Sequence, residues 1–289
     1  MLILISDAFA NDLPERLAPF GEVTDDKDRL PEAEVVLIRS KTKCTKEWMD
    51  EAENCKLIIR GGVGLDNVDL AYAKEKGITV HNTADASSIA VAEDAFALMI
   101  ALPNHIIRGH NSMEKGEWIK KELKRDELYG KTLGLLGCGR IGTEVAKRAA
   151  AFGMKVIAFD PYLDTIAYGS LVDLDELLAE SDYISLHMPL TEETEGMVNA
   201  ELIAKMKDGV RIINTGRGKC IAQDDLVAAL KSGKVAGFGN DVSYSDPPDE
   251  NPFIGLDNVV MLPHLGASTR ENMGRIGDIV IELLTKYYG

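Results

Sequence analysis

Short apolar runs of strand length recur along the chain at Leu2–Ile5, Val35–Ile38, Leu57–Ile59 and Thr79–His81, then at Thr132–Leu136, Val156–Phe159, Tyr183–His187, Arg211–Asn214, Val235–Gly239 and Val259–Leu262. They are continuous rather than alternating, and helix-length stretches lie between them. Continuous apolar strands joined by helical crossovers predict parallel sheets covered on both faces. The pattern therefore predicts an α/β protein with two doubly wound parallel-sheet domains. Ser87–Ile107 reads as a long apolar helix, with Ser87 or Ser88 as its N-cap and Pro103 as a kink or stop. Ser268-Thr-Arg-Glu271 reads as a capping box opening a last helix through Leu284. If both helices cross between the sheets, the first domain is discontinuous, residues 1–93 with 266–289, around a second at 94–265.

With 289 residues, 45% of them hydrophobic, the chain can build two real cores. Its 32 basic and 47 acidic side chains leave a formal charge of −15. So acidic a surface argues against nucleic acid or an anionic membrane as partner, and any anionic ligand must be held by a few placed cations. The N-terminus lacks the pattern of a signal peptide, and no run approaches the ~18 apolar residues of a membrane span. Cys44, Cys55, Cys138 and Cys220 form no CxxC pair, which predicts idle thiols in a reducing cytoplasm and no metal site.

One strand leads into chemistry. Thr132–Leu136 runs directly into Gly137-Cys138-Gly139-Arg140-Ile141-Gly142, followed by a helix-like stretch to Phe152, the next strand and Asp160. In such a motif Gly137 permits the tight turn, Gly139 lets backbone N–H groups approach a pyrophosphate, and Gly142 permits close helix–strand packing. Glycines alone are a weak signal; between strand and helix, with an acid after the next strand, they predict a Rossmann-like dinucleotide site. Asp160 would accept hydrogen bonds from a ribose and repel a 2′-phosphate, which favours NAD over NADP.

The residues just past the later strands are polar: Thr215-Gly216-Arg217-Gly218, then Asp241 and Asp246, then Pro263-His264-Leu265-Gly266. Here the chain resembles the D-isomer-specific 2-hydroxyacid dehydrogenases, and among them is most similar to the D-3-phosphoglycerate dehydrogenases. The matching stretches are RGGVGLDNVDL from Arg60, NTADASSIAVAE from Asn82, GKTLGLLGCGRIG from Gly130, FDPY from Phe159, INTGRG from Ile213, NDVSYSDPP from Asn240 and PHLGAST from Pro263. The resemblance implies a flavodoxin-like substrate or lid domain beside an NAD domain, with hinges near Ala92–Ala95 and Gly266–Ser268, and a homodimer. It implies that Arg217 grips the substrate carboxylate and polarises the C2 oxygen, and that His264 takes the C2 hydroxyl proton. It implies that Asp241 bonds the nicotinamide carboxamide, with further cofactor contacts at Arg140, Ile141, Pro189, Thr215 and His264. Backbone N–H groups of Gly61, Gly62, Val63 and Gly64 would add to carboxylate binding.

One position departs from the family pattern: Asp246 stands where relatives carry a glutamate paired with the histidine. If the backbone stays put, the shorter side chain lengthens the pair and weakens it by about 1 kcal/mol, unless the loop moves to compensate. The other histidines, His81, His105, His110 and His187, lack a carboxylate or a metal-ligand spacing and read as structural.

For the substrate, Arg39 and Arg60 each end a strand, and the resemblance places them at phosphate-binding positions, with Ser40 beside Arg39. It places Lys120 where the partner subunit reaches over, and Ser87 at a polar substrate contact. These positions favour oxidation of D-3-phosphoglycerate, the first step of serine biosynthesis. Relatives that reduce hydroxypyruvate or glyoxylate share Arg39 and Arg60, so such a reductase is the alternative. A non-catalytic NAD-sensing protein is a remote one, disfavoured by the retained Arg217, His264 and carboxylate. The length matches the two-domain catalytic unit without the C-terminal regulatory domain of longer relatives, so feedback by serine is not expected. Only ten residues separate Asp160 from Leu171, which predicts an NAD domain trimmed near the adenosine.

Overall fold

A computed structural model describes residues 1–289. In chain order the first elements are β1 (Leu2–Ile5), α1 (Leu13–Leu17), β2 (Glu22–Thr24), β3 (Val35–Ile38), α2 (Lys46–Glu51), β4 (Leu57–Arg60), α3 (Leu70–Glu75) and β5 (Thr79–Asn82). Then come α4 (Ala84–Ala101), α5 (Ile106–Glu114), β6 (Thr132–Leu136), α6 (Arg140–Ala151), β7 (Lys155–Phe159), β8 (Ser170–Leu171), α7 (Leu174–Glu180) and β9 (Tyr183–Leu186). The chain closes with α8 (Ala200–Lys205), β10 (Val210–Asn214), α9 (Gln223–Ser232), β11 (Val235–Asn240), β12 (Val259–Met261) and α10 (Arg270–Tyr288). It divides into two compact units, residues 1–88 with 267–289, and residues 89–266. The sequence placed these boundaries at 93/94 and 265/266; α4 runs unbroken through the first.

The first unit holds a five-stranded sheet in the order β2-β1-β3-β4-β5, every pair parallel. That order is the flavodoxin-like one, reversing between β1 and β3. Its strands are buried on both faces, as the continuous runs LILI and VVLI require. One face packs Ile58, Ile38 and Val36 against Met49 and Ala73. The other packs Ile3, Leu37 and Ile59 against Leu13 and Leu17, with Ile276, Val280 and Leu284 from α10. The second unit holds a seven-stranded parallel sheet in the order β12-β11-β10-β9-β6-β7-β8. Taken from β6, this is the Rossmann order extended by one strand, reversing between β6 and β9. Its faces are covered by α4 and α6 on one side and by α7, α8 and α9 on the other.

Two cap expectations need correction, and two short strands add to the expected ones. Helix α4 begins at Ala84, so Ser87 and Ser88 lie inside its first turns and cap nothing; both are buried. At the other end Pro103 marks a stop, one of the two outcomes expected of it: α4 ends at Ala101, and α5 starts after His105 at a left-handed φ of 51°. The last helix is capped by Thr269, which accepts from the Asn272 N–H, and not by Ser268. Strands β2 and β8 carry three and two residues at sheet edges and are too short and polar to register as apolar runs. As the ten-residue spacing predicts, no helix forms between Asp160 and β8. No single helix is long and apolar enough to cross a membrane.

Strand β9 is central in its sheet, and Ile184 on it is fully buried. Ile184→Ala should leave a cavity and cost about 2–5 kcal/mol, read as a fall in denaturant midpoint at unchanged slope.

Candidate active site

In the second unit the glycine loop sits where the strand order reverses. Gly137 follows β6 with a left-handed φ of 88°, and a Cβ there would come within 3.0 Å of the His187 and Met188 backbone at the end of β9. A Cβ on Gly142 would stand 2.6 Å from the Gly137 carbonyl oxygen, so only glycine lets α6 pack this close to the loop. On the open side, nothing lies within 4 Å of a Cβ built on Gly139. Gly139 is also the N-cap of α6 and offers no side-chain acceptor to the helix start.

Asp160, just past β7, accepts from the Cys138 N–H at 2.9 Å and the Tyr162 N–H at 3.0 Å, which ties the acid to the glycine loop. Pro189, just past β9, accepts from Thr194 Oγ1 through its carbonyl. Thr215, just past β10, has a buried Oγ1 with no hydrogen-bond partner in the chain. An uncapped helix start, an open glycine, an orphaned hydroxyl and a ribose-ready acid all fit a dinucleotide. No cluster of three or more His, Cys, Asp or Glu side chains could hold a metal ion. All four cysteines are buried thiols.

The candidate side chains after the later strands of this unit are held largely by backbone contacts. Arg217 follows β10 on a turn clamped by the buried Asn214, whose Oδ1 accepts from the Gly216 N–H and whose Nδ2 donates to the Arg217 carbonyl. The Arg217 guanidinium donates to the Gly216 carbonyl at 2.8 Å. A Cβ on Gly218 would stand 2.4 Å from the Ser243 carbonyl oxygen, so this turn abuts the loop that carries Asp246. Tyr244 fixes that loop by donating to the Ile221 carbonyl at 2.5 Å.

At its tip, Asp246 Oδ2 meets His264 Nδ1 in direct contact. Of the two outcomes expected for the shorter aspartate, the structure has the second: the pair is not lengthened, and the loop carries the carboxylate to the ring. His264 itself adopts a left-handed φ of 57°, a region that histidine tolerates better than most residues. Asp241 holds it there, accepting from the N–H groups of Leu265 at 2.6 Å and Gly266 at 2.8 Å. Asp241, expected only as a cofactor contact, is thus buried with both oxygens on backbone.

Asp94 escaped the sequence reading. Burial and the facing Asp241 carboxyl push its own carboxyl up to about 7. Burial also raises Asp241, while the Gly266 and Leu265 N–H groups hold it down. Nothing in the spacing of Asp94 on α4 marks it.

In the first unit, Arg39 and Arg60 converge on one glycine turn. Arg39 Nε donates to the Gly61 carbonyl at 3.4 Å, and a Cβ on Gly62 would lie 1.8 Å from an Arg60 guanidinium nitrogen. Asp7, which no sequence signal marked, anchors this corner by accepting from the Arg39 and Thr42 N–H groups and from Thr42 Oγ1. Burial lowers the Arg39 guanidinium and Asp7 opposes it. Asn67 donates to the carbonyls of Arg39 and Thr42.

Two of the four backbone donors expected for a carboxylate are already used. Gly61 N–H donates to the Ile38 carbonyl and Gly62 N–H to Thr83 Oγ1, leaving those of Val63 and Gly64. Ser40 is exposed beside Arg39. Ser87, expected at the substrate, is fully buried, and its Oγ accepts from Asn272 Nδ2 at 3.2 Å. Lys120 lies exposed in the irregular segment after α5, two residues past the exposed Trp118. Of the histidines set aside, His110 does have a carboxylate near it, Glu114 at 3.6 Å one helical turn on; both are exposed. Burial pulls His187 down to about 4, keeping it neutral.

Comparison with known proteins agrees with this geometry. The family model for the NAD-binding domain of D-isomer specific 2-hydroxyacid dehydrogenases matches residues 96–266. The chain is 51% identical over 264 residues to a hydroxypyruvate reductase from Thermotoga maritima, covering 90% of this chain and 86% of the relative. It is 42% identical over 297 residues to the D-3-phosphoglycerate dehydrogenase of Methanocaldococcus jannaschii, covering 98% of this chain but 57% of that longer relative. Among solved structures, an NAD-dependent formate dehydrogenase from Staphylococcus aureus in complex with NAD superposes with a TM-score of 0.87 at 30% identity, covering 100% of this chain and 95% of that one.

Gly142→Ala tests the loop directly. The added methyl must push α6 off the Gly137 carbonyl, and NADH affinity should fall about tenfold or more in a fluorescence titration, equivalent to at least about 1.4 kcal/mol.

Proposed function

Because this chain belongs to the D-isomer-specific 2-hydroxyacid dehydrogenase family and takes NAD as cofactor, we propose that it interconverts D-3-phosphoglycerate and 3-phosphohydroxypyruvate. The reading starts from the pair Arg39 and Arg60 over the single turn Gly61–Gly62; reductase relatives share the pair, so it supports an anion site and the substrate panel below chooses between the two readings. In a protein of charge −15, two guanidinium groups on one turn suit a second anionic group on the substrate, beyond the carboxylate that every 2-hydroxy acid carries. Arg217 takes the carboxylate and the C2 oxygen, and the N–H groups of Val63 and Gly64 add to anion binding.

Bound NAD supplies the redox chemistry, accepting hydride from C2 on oxidation and returning it on reduction. His264 accepts the C2 hydroxyl proton at Nε2, since Nδ1 faces Asp246 and is the nitrogen that keeps its hydrogen. The imidazolium that results is stabilised by the Asp246 carboxylate and returns its proton to the C2 oxygen in the reverse direction. Gly137, Gly139, Arg140, Ile141 and Gly142 would hold the pyrophosphate, Asp160 the ribose, and Pro189, Thr215 and Asp241 would contribute to the rest of the cofactor site.

Reduction of hydroxypyruvate or glyoxylate is the second reading, favoured by the 51% identity to a hydroxypyruvate reductase along most of both chains. We also propose a homodimer, with Lys120 of one copy completing the other's anion site. The apolar side chains of Ile106, Ile107, Met113 and Trp118, all exposed on α5 and the segment after it, support this arrangement.

A panel of phosphohydroxypyruvate, hydroxypyruvate, glyoxylate, 2-oxoglutarate and pyruvate with NADH and NADPH ranks the readings by kcat/KM. Arg39→Ala and Lys120→Ala should raise KM for phosphohydroxypyruvate about 10–100-fold, the worth of one or two charge-assisted bonds, and scarcely change glyoxylate. Equal effects on both substrates would transfer the assignment to the reductase. Asp246→Asn should reshape the pH–rate profile more than Asp246→Glu does; a profile identical to wild type would remove Asp246 from the mechanism.

A further inference from the structure

We propose that Asp94 and Asp241 share one proton, carried on Asp94, and that this acid pair fixes the turn beneath His264, making Asp94 a positioning residue for the imidazole. The inference rests on the reading of His264 as the group that accepts the substrate proton.

The geometry is specific. A Cβ built on Gly266 would stand 3.1 Å from Asp241 Oδ2 and 3.6 Å from Asp94 Oδ2, so the two oxygens converge on one point of the chain. Asp94 Oδ2 is buried and finds no donor. An ionised carboxylate is acceptor-only, and two such oxygens facing each other away from water repel unless one carries a hydrogen. Asp241 already accepts two backbone N–H groups, the environment of an ionised carboxylate. The proton therefore belongs to Asp94, which can donate it to Asp241. Asp241 is the charged group that faces Asp94. Asp241 in turn is faced by His264, which favours its ionised form, and by Asp246, which opposes it. Glu93, next to Asp94 on α4, is paired with Arg148 at 3.1 Å, and Arg148 also with Glu144 at 2.6 Å.

With the proton in place, Asp241 is a single anion gripping the Leu265 and Gly266 N–H groups, and the left-handed His264 is held by the two residues that follow it. Loss of the proton sets two buried anions against each other at Gly266 and loosens that turn. The sign follows from linkage. A carboxyl raised in the folded state stabilises the protein at low pH, and its contribution is lost as pH rises through the folded value, near 7 here. Hydroxy-acid oxidation therefore falls as pH rises through the value at which Asp94 ionises.

The experiment compares wild type with Asp94→Asn, which keeps the shape and an N–H donor but cannot ionise. The wild-type kcat/KM for hydroxy-acid oxidation should drop at least about threefold between pH 7 and 9, and Asp94→Asn should lose that drop. The Tm of the variant, measured without substrate, should gain on wild type as pH rises from 5 to 9. Profiles that superimpose after scaling, together with a constant Tm difference, would overturn the proposal. A second reading, independent of the variant's folding, uses wild type with carboxyl-labelled aspartate. Its infrared spectrum should show a protonated carboxyl at pH 6 that disappears by pH 9, and its absence at pH 6 would also overturn the pair. If no 2-hydroxy acid is turned over, the proposed function falls instead, while the Tm and infrared readings still decide whether the proton is there.

Discussion

At four places in this chain, backbone N–H groups just past the parallel strands are taken up by short acidic and amide side chains and not by a neighbouring strand. Asp7 does so after β1, Asp160 after β7, Asn214 at the end of β10 and Asp241 after β11. Buried N–H groups without acceptors are costly, so these side chains are required before any ligand arrives. Each one ties a loop that bears a candidate site residue. Asp7 ties the Arg39 corner, Asp160 the glycine loop, Asn214 the Arg217 turn and Asp241 the His264 turn. The chemistry stands on rigid supports at the carboxyl ends of the strands because the fold itself leaves unfilled hydrogen bonds there.

That distribution explains what the sequence could reveal. The apolar runs marked ten of the twelve strands, from Leu2–Ile5 to Val259–Met261, most clearly the central ones, where burial on both sides leaves no alternation to misread. Edge strands β2 and β8 escaped, since two or three half-exposed residues carry no hydrophobic signal. The glycine loop was legible for a similar reason: Gly142 stands where any side chain would strike the Gly137 carbonyl, and steric exclusion writes itself directly into residue type.

Side-chain partners were less legible. The length of Asp246 alone implied a weakened pair with His264, yet the loop around Tyr244 brings them into contact, and loop path is not encoded in side-chain length. Ser87 read as a substrate contact and turned out to be an internal partner of Asn272, 185 residues away. Asp7 and Asp94 gave no signal, because a lone aspartate after a strand or within a helix looks like solvated surface until the fold places backbone N–H groups or a second carboxylate against it. Positions defined by local sterics were readable, and positions defined by distant contacts were not.

The brevity of the sheet edges has one more consequence. The first sheet ends at β2 with three residues, and the second ends at β8 with two and at β12 with three. An extended peptide or a second chain aligning with any of these borders would gain only a few ladder bonds before running out of template. Self-propagating strand addition, the usual route from a parallel sheet to fibrils, is thereby starved at three of the four borders.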